Sequence, residues 1–246
     1  MKNHTIIVEH IYKSYPLYHH INAGLKTLFT HPKNILKFFK GSRYSALEDI
    51  SFKVKKGESI ALVGKNGAGK STMLALLAGV LKPNSGTISI NGRVAAMLEL
   101  GGGFHPELTG RENIYLNAAL LGLTKKEIES KVESIIEFSE LEDFIDEPIR
   151  IYSSGMLAKL GFSVITSVNP DIIIIDEVLA VGDYEFQNKC LQVIKKFKEQ
   201  GVTIFLVSHS INDVKTFCDK AIWIENKKVK MIGDSQTVGD AYASNF

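Results

Sequence analysis

Nine consecutive residues, Gly64-Lys65-Asn66-Gly67-Ala68-Gly69-Lys70-Ser71-Thr72, constrain this chain more than any other feature in it. They match GxxxxGK[ST], and the flanks complete the pattern. The apolar run Ser59–Val63 predicts a strand before it, and Met73-Leu74-Ala75-Leu76-Leu77-Ala78 predicts an apolar helix after it. The glycines let successive backbone N–H groups turn inward as an anion nest, and the helix N-terminus adds partial positive charge. A glycine-rich turn that merely caps a helix is set aside on the full nine-residue match. Lys70 is then placed to reach the β and γ phosphates of a nucleotide, and Ser71 to ligate Mg2+.

A second run answers the first. Asp171-Ile172-Ile173-Ile174-Ile175-Asp176-Glu177 reads as a buried strand ending in two carboxylates. A purely structural strand avoids that ending, because unpaired buried charge is expensive. Asp176 is placed to hold Mg2+ through water, and Glu177 to orient and deprotonate an attacking water.

Around these motifs the chain alternates between short runs apolar on both faces and longer mixed patterns. Val202–Val207 joins the two strands above, and Lys125–Phe138 and Tyr184–Gln200 suit helices. This alternation predicts an α/β fold with a doubly wound parallel sheet and ligands at the carboxyl ends of its strands. About 106–166 is mainly helical and is expected to form a subdomain. Ala221–Glu225, a turn at Asn226-Lys227 and Lys228–Ile232 predict an antiparallel hairpin, followed by a last short helix.

With 246 residues, 45% apolar and 23% charged, the chain has material for one large domain, and disorder or a disulfide framework is excluded. Cys190 and Cys218 lack CxxC or His partners, so no metal or redox role is expected. No apolar run is long enough to span a bilayer, and MKNHTIIVEH lacks the apolar core of a signal peptide. A cytosolic protein, or one attached to a membrane from that side, is expected.

The net charge of +2 hides an asymmetry. No Asp or Glu occurs from His10 to Leu47, where Lys13, Lys26, Lys33, Lys37, Lys40 and Arg43 fall. Leu25, Leu28 and Phe29, then Ile35, Leu36, Phe38 and Phe39, recur at helical spacing on either side of Pro32. Residues 16–43 therefore read as a basic amphipathic insert, suited to anionic lipid headgroups or a membrane partner. Nucleic acid ranks lower, because the charge is interleaved with large apolar residues. A simply solvated helix is the remaining alternative.

Three further pieces carry a family resemblance. Tyr152-Ser153-Ser154-Gly155-Met156 resembles the LSGGQ signature of ATP-binding-cassette (ABC) ATPases, Ala180-Val181-Gly182-Asp183 resembles their D-loop, and His209 in Val207-Ser208-His209 sits where their switch histidine ends a strand. Ser154 and Met156 depart from the signature. The resemblance implies an ABC nucleotide-binding domain occupying residues 1–246, with a parallel core sheet, an antiparallel β part and a helical subdomain, that hydrolyses ATP with Mg2+. Glu177 and His209 would be catalytic. Ser153 and Gly155 would act in trans across a head-to-tail homodimer, and Asp183 would lie at the ATP site. Tyr15 would stack on adenine, with Tyr44 as the alternative.

The segment Ala95-Ala96-Met97-Leu98-Glu99-Leu100-Gly101-Gly102-Gly103-Phe104-His105-Pro106-Glu107-Leu108-Thr109-Gly110-Arg111-Glu112-Asn113-Ile114 occupies the Q-loop position without a Gln, so Glu99 is the candidate third metal contact. Its wording, with the insert before Ala46-Leu47-Glu48-Asp49-Ile50, resembles the subunits that export O-antigen, capsule and teichoic acid. That implies a polytopic membrane permease as partner, contact with a lipid-linked polysaccharide, and a peripheral place on the cytoplasmic face of the plasma membrane. The chain stops soon after the hairpin, so no C-terminal carbohydrate-binding domain is expected. A soluble ABC-type factor acting on ribosomes or DNA, a regulatory ATP-sensing module without turnover, or an ABC subunit exporting another substrate are the rival readings.

Overall fold

The computed structural model describes residues 4–17, 43–97, 103–176, 183–208 and 210–245. The called residues Glu99, Glu177 and His209, and nearly all of the 16–43 insert, lie outside them.

A six-stranded sheet forms the centre. In chain order its strands are β3 (Ser59–Val63), β5 (Val94–Met97), β6 (Ile172–Asp176), β7 (Thr203–Val207), β8 (Lys220–Glu225) and β9 (Lys228–Asp234). Their spatial order is β5-β6-β7-β3-β8-β9; all neighbours run parallel except the hairpin β8–β9. The hairpin turns at Asn226 and Lys227, both in the left-handed region at φ 49 and 68, as a two-residue turn of matching twist requires.

Strands buried on both faces need two cores, and both are present. Ala61, Val63, Ile173, Ile175, Ile204 and Leu206 point one way. They meet Phe186, Cys190 and Ile194 of the helix Tyr184–Glu199, Val214 of the helix Ile211–Phe217, and Val238 and Tyr242 of the helix Ser235–Ala243. Ile60, Leu62, Ile172, Ile174, Phe205 and Val207 point the other way, toward Met73, Leu74 and Leu77 of the helix α1 (Lys70–Leu77).

That second face departs from a doubly wound expectation. Beside α1 it is covered by an antiparallel sheet of three strands, ordered β2-β1-β4: β1 (His4–Pro16), β2 (Arg43–Lys55) and β4 (Ser85–Ile90). Ile6, Val8, Leu47, Ile50 and Phe52 supply its buried side. These strands escaped the periodicity reading because the β1–β2 register shifts repeatedly between Val8 and Ser14, and His10 and Asp49 take positive φ of 50 and 55. Each bulge resets the alternation of faces.

Residues 103–167 contribute a helical layer: α2 (Gly110–Leu120), α3 (Lys125–Ser139), the short 3-10 turns Glu142–Phe144 and Ile149–Ile151, and α4 (Ser154–Ser167). Thr109 with Glu112, and Thr124 with Glu127, form reciprocal capping boxes that start α2 and α3. The layer has its own core, including Ile114, Ile128, Ile135, Leu160 and Val164. Further along the described residues come the helices α5 (Tyr184–Glu199), α6 (Ile211–Phe217) and α7 (Ser235–Ala243). Cys190 and Cys218 are buried, and desolvation pushes both thiols up to about 12.

Candidate nucleotide site

The loop between β3 and α1 is pressed closely by neighbouring backbone at two of its glycines. Gly69 caps α1 at φ 105, and a Cβ there would stand 2.6 Å from both the Ala46 carbonyl and Leu47 Cδ2. A Cβ on Gly64 would stand 2.4 Å from the Ile224 carbonyl. The neighbouring strands therefore press the loop into a shape that only glycine permits at these points. Lys65, Asn66, Gly67 and Ser71 are exposed, Thr72 is half-buried, and Ala68 is tucked inward.

Lys70 lies beneath this crest. It is 7% exposed, and its ammonium donates to the Gly64 carbonyl at 2.7 Å and the Lys65 carbonyl at 3.3 Å. Burial lowers its pKa, and the nearby Asp176 carboxylate opposes that shift. A cation held by two carbonyls of the same loop is positioned and also lends the nest positive potential.

Asp176 closes β6 opposite Val207, and Leu62 of β3 faces the same Val207 from the other side. At about 4.8 Å per strand step, Asp176 stands roughly 10 Å across the sheet from Leu62, just before the loop that begins at Gly64. Ser71 and Asp176 also line one cleft of about 560 Å³, whose other walls include Ala96, Phe104, Asn117 and Leu120. One hydroxyl and one carboxylate are hard oxygen donors of the kind Mg2+ takes from a protein when phosphates and waters complete its shell. Among the described residues no cluster of three or more His, Cys, Asp or Glu could hold a metal alone. The residues present thus fit a phosphate-bound Mg2+.

Ser208 and Ser210 bracket His209. The Ser210 amide donates to Ser208 Oγ at 3.0 Å, and Ser210 Oγ caps α6 by accepting from Asp213 N at 3.2 Å. These bonds fix Ser208 and Ser210 at the exit of β7, the strand between β3 and β6.

Tyr15 and Tyr44 turn out to be cross-strand partners. Tyr15 Oη lies 3.3 Å from Thr72 Oγ1, and Tyr44 Oη donates to the Gly67 carbonyl at 3.5 Å. Lys13 stands over the Tyr15 ring and Lys227 over the Tyr44 ring, at 5.5 and 4.8 Å. Both rings therefore border the phosphate loop, a pairing that no local sequence pattern signals across a long insert.

Ser153 is the N-cap of α4 and accepts from Met156 N at 3.2 Å. An accepting hydroxyl still has its O–H to donate. Gly155, in the first turn, meets only Ser153 Oγ at 3.7 Å where a Cβ would be. Glycine inside a helix costs about 1 kcal/mol relative to Ala, and nothing among the described residues requires it here. Asp183 caps α5, accepting from Phe186 N at 2.9 Å, and pairs with Lys159 at 2.8 Å. Those hydrogen bonds, Lys159 first, draw its carboxyl down to about 2.

The buried Lys70 of the loop and the Asp176 carboxylate at the end of β6 form one local site. The ABC transporter family pattern matches residues 47–180, from β2 through the end of β6 and beyond. The chain belongs to the ABC transporter family. It is an ATP-binding cassette and an ATPase. Its relatives include the O-antigen export system ATP-binding protein RfbB of Klebsiella pneumoniae, 62% identical over 97% of this chain and 98% of that protein. The teichoic acids export ATP-binding protein TagH of Bacillus anthracis is 44% identical over 98% of this chain and 42% of that protein. Among solved structures, a dimeric ATP-binding cassette in a post-hydrolysis state bound to ADP and Pi superposes with TM-score 0.74 at 21% identity, covering 94% of this chain and 98% of that one. An ATP-binding subunit of an ABC transporter superposes with TM-score 0.75 at 25% identity, covering 97% and 93%.

For this cassette the two tyrosines give a direct test. Tyr15→Ala is expected to weaken ATP binding by the loss of one base–aromatic stack, about 1–3 kcal/mol or roughly 5- to 150-fold, whereas Tyr15→Phe keeps affinity. Tyr44→Ala is expected to change it less. Titration of the purified variants with ATP checks this, and the reverse ranking would assign the adenine to Tyr44.

Proposed function

We propose that this chain is the ATP-hydrolysing subunit that drives a lipid-linked cell-surface polysaccharide, of O-antigen, capsule or teichoic acid type, outward through a polytopic membrane permease. The observation that carries the reading is the near-full-length identity to an O-antigen export subunit. A match over 97% of the chain necessarily takes in the 16–43 insert as well as the motifs that any cassette carries.

In this reading two copies pack head to tail. Gly64, Lys65, Asn66, Gly67, Ala68, Gly69, Lys70, Ser71 and Thr72 of one copy cradle ATP, and Ser153 and Gly155 of the other complete the γ-phosphate contacts from the N-terminus of α4. Asp183 lies at the edge of the same composite site. Ser71 and Asp176, with Glu99, would hold Mg2+, which when bound neutralises charge on the β and γ phosphates. Glu177 accepts the proton of the attacking water, and His209 orients it. Closure requires only that ATP bind the closed dimer better than the open one.

The cleft beside α2 and α4 has the largely apolar lining that a permease segment would bury. Among the described residues no helix is long and apolar enough to cross a membrane. The basic insert would face the permease, the lipid-linked sugar or anionic headgroups, where each Lys or Arg adds about 1 kcal/mol.

Deleting the gene in its own host tests the proposal. Surface polymer is expected to disappear while lipid-linked polymer accumulates inside, and the wild-type chain but not Glu177→Gln should restore export. Unchanged surface polymer in the deletion would overturn the reading, and co-purification with ribosomes or DNA in place of a permease would turn it toward a soluble factor.

A further inference from the structure

Four charged side chains of alternating sign run across the joint between the helical layer and α5. Lys189 Nζ lies 2.6 Å from Glu140 Oε1, Glu140 Oε2 lies 2.8 Å from Lys159 Nζ, and Lys159 Nζ lies 2.8 Å from Asp183 Oδ2. Glu140 is the left-handed C-cap of α3, Lys159 sits on α4, and Asp183 and Lys189 belong to the start of α5. One ammonium therefore ties together three helices.

Lys159 is not a loose surface cation. Its side chain is 14% exposed, and its ammonium stands 5.0 Å from the centre of the Phe186 ring. Phe186 in turn packs edge-on against Phe138 and Phe162, from α3 and α4, with ring centres 5.8 and 6.3 Å away. The charges rim an aromatic joint that already holds the helices together. For adhesion alone the rings would suffice, and a half-buried ion pair adds little to stability against an apolar substitute. What the pair adds is direction, because a charge-assisted contact has one geometry.

That direction connects two candidate site residues. Lys159 lies six residues after Ser153 in sequence, on the helix that Ser153 caps, and its other partner is Asp183, the cap of α5. Neither the phosphate loop nor Asp176 is among its partners. We infer that Lys159 is a positioning residue for hydrolysis, fixing Asp183 relative to the Ser153-bearing end of α4 without touching the nucleotide. Lys70 holds ATP in one copy; Lys159 sets how the opposing surface of the other copy is presented. The inference rests on the composite-site reading above.

Lys159→Met keeps the apolar stem over Phe186 and removes the charge. Steady-state hydrolysis, ATP affinity and thermal midpoint of the purified full chain decide the matter. Lys159→Met is expected to lower kcat roughly ten- to a hundredfold, the scale set by small misplacements of reacting groups. ATP affinity and KM should stay within twofold, and Lys159→Arg should recover at least half of the rate. Asp183→Asn, which still caps a helix, should reproduce the loss, and the double variant should lose no more than either single one.

Wild-type turnover in Lys159→Met overturns the inference. So does a loss of thermal midpoint with kcat unchanged, or an additive double variant. If Lys159→Met fails to fold, Asp183→Asn alone carries the test through the same kcat and KM readout. Ser153→Arg run alongside separates the two levels. If it hydrolyses ATP normally, the composite-site reading fails; if it is inactive while Lys159→Met is normal, only the present inference fails.

Discussion

Glu177→Gln is expected to bind ATP with wild-type affinity and hydrolyse it roughly 10²- to 10⁴-fold more slowly, the contribution of a positioned general base. β6 delivers four buried isoleucines and then Asp176 to the carboxyl edge of the sheet, and Glu177 follows directly. Gln keeps the length and polarity of Glu but cannot take a proton from water. Every contact to the phosphates from Lys70 and the loop amides is left intact, so binding energy still closes the dimer and no chemistry reopens it. Size-exclusion chromatography in ATP should show a dimer that wild-type protein forms only transiently. Hydrolysis at the wild-type rate would place the base elsewhere.

Lys70→Ala is expected to fail earlier, at binding. Affinity for ATP should fall roughly 10- to 100-fold or more, as one or two charge-assisted hydrogen bonds of about 1.5–3 kcal/mol are lost. The same substitution removes the donor that holds the Gly64 and Lys65 carbonyls from beneath, so the nest loses its shape along with its charge. Nucleotide titration of the purified chain checks this. An unchanged dissociation constant would mean that the nest amides alone hold the phosphates. The contrast between the variants is diagnostic: one binds without turning over, and the other scarcely binds.

Much of this site was legible because its chemistry is local. The phosphate loop, the Asp176 strand and the Ser153 cap each depend on residues within a few positions, and the elements found at Ser59–Val63, Ile172–Asp176 and Ser154–Ser167 carry them. The hairpin at Asn226-Lys227 was legible for the same reason. β1, β2 and β4 could not be placed by periodicity, because their bulges scramble alternation, although the family resemblance did imply an antiparallel β part. Tyr15 and Tyr44 read as rivals in sequence and stand as neighbours in space. Lys159 carried no signal at all, since its partners lie 19 positions before it and 24 after it.

The β1–β2 ladder ends with Pro16 opposite Arg43, so the two ends of the intervening sequence are held side by side on one rung. Closing a flexible loop costs only about 0.6 kcal/mol more for each doubling of its length. A change of length between Pro16 and Arg43 is therefore compatible with an unchanged sheet, because both rungs are set by the ladder itself. The rung next to those ends, Tyr15 opposite Tyr44, is the one that borders the phosphate loop.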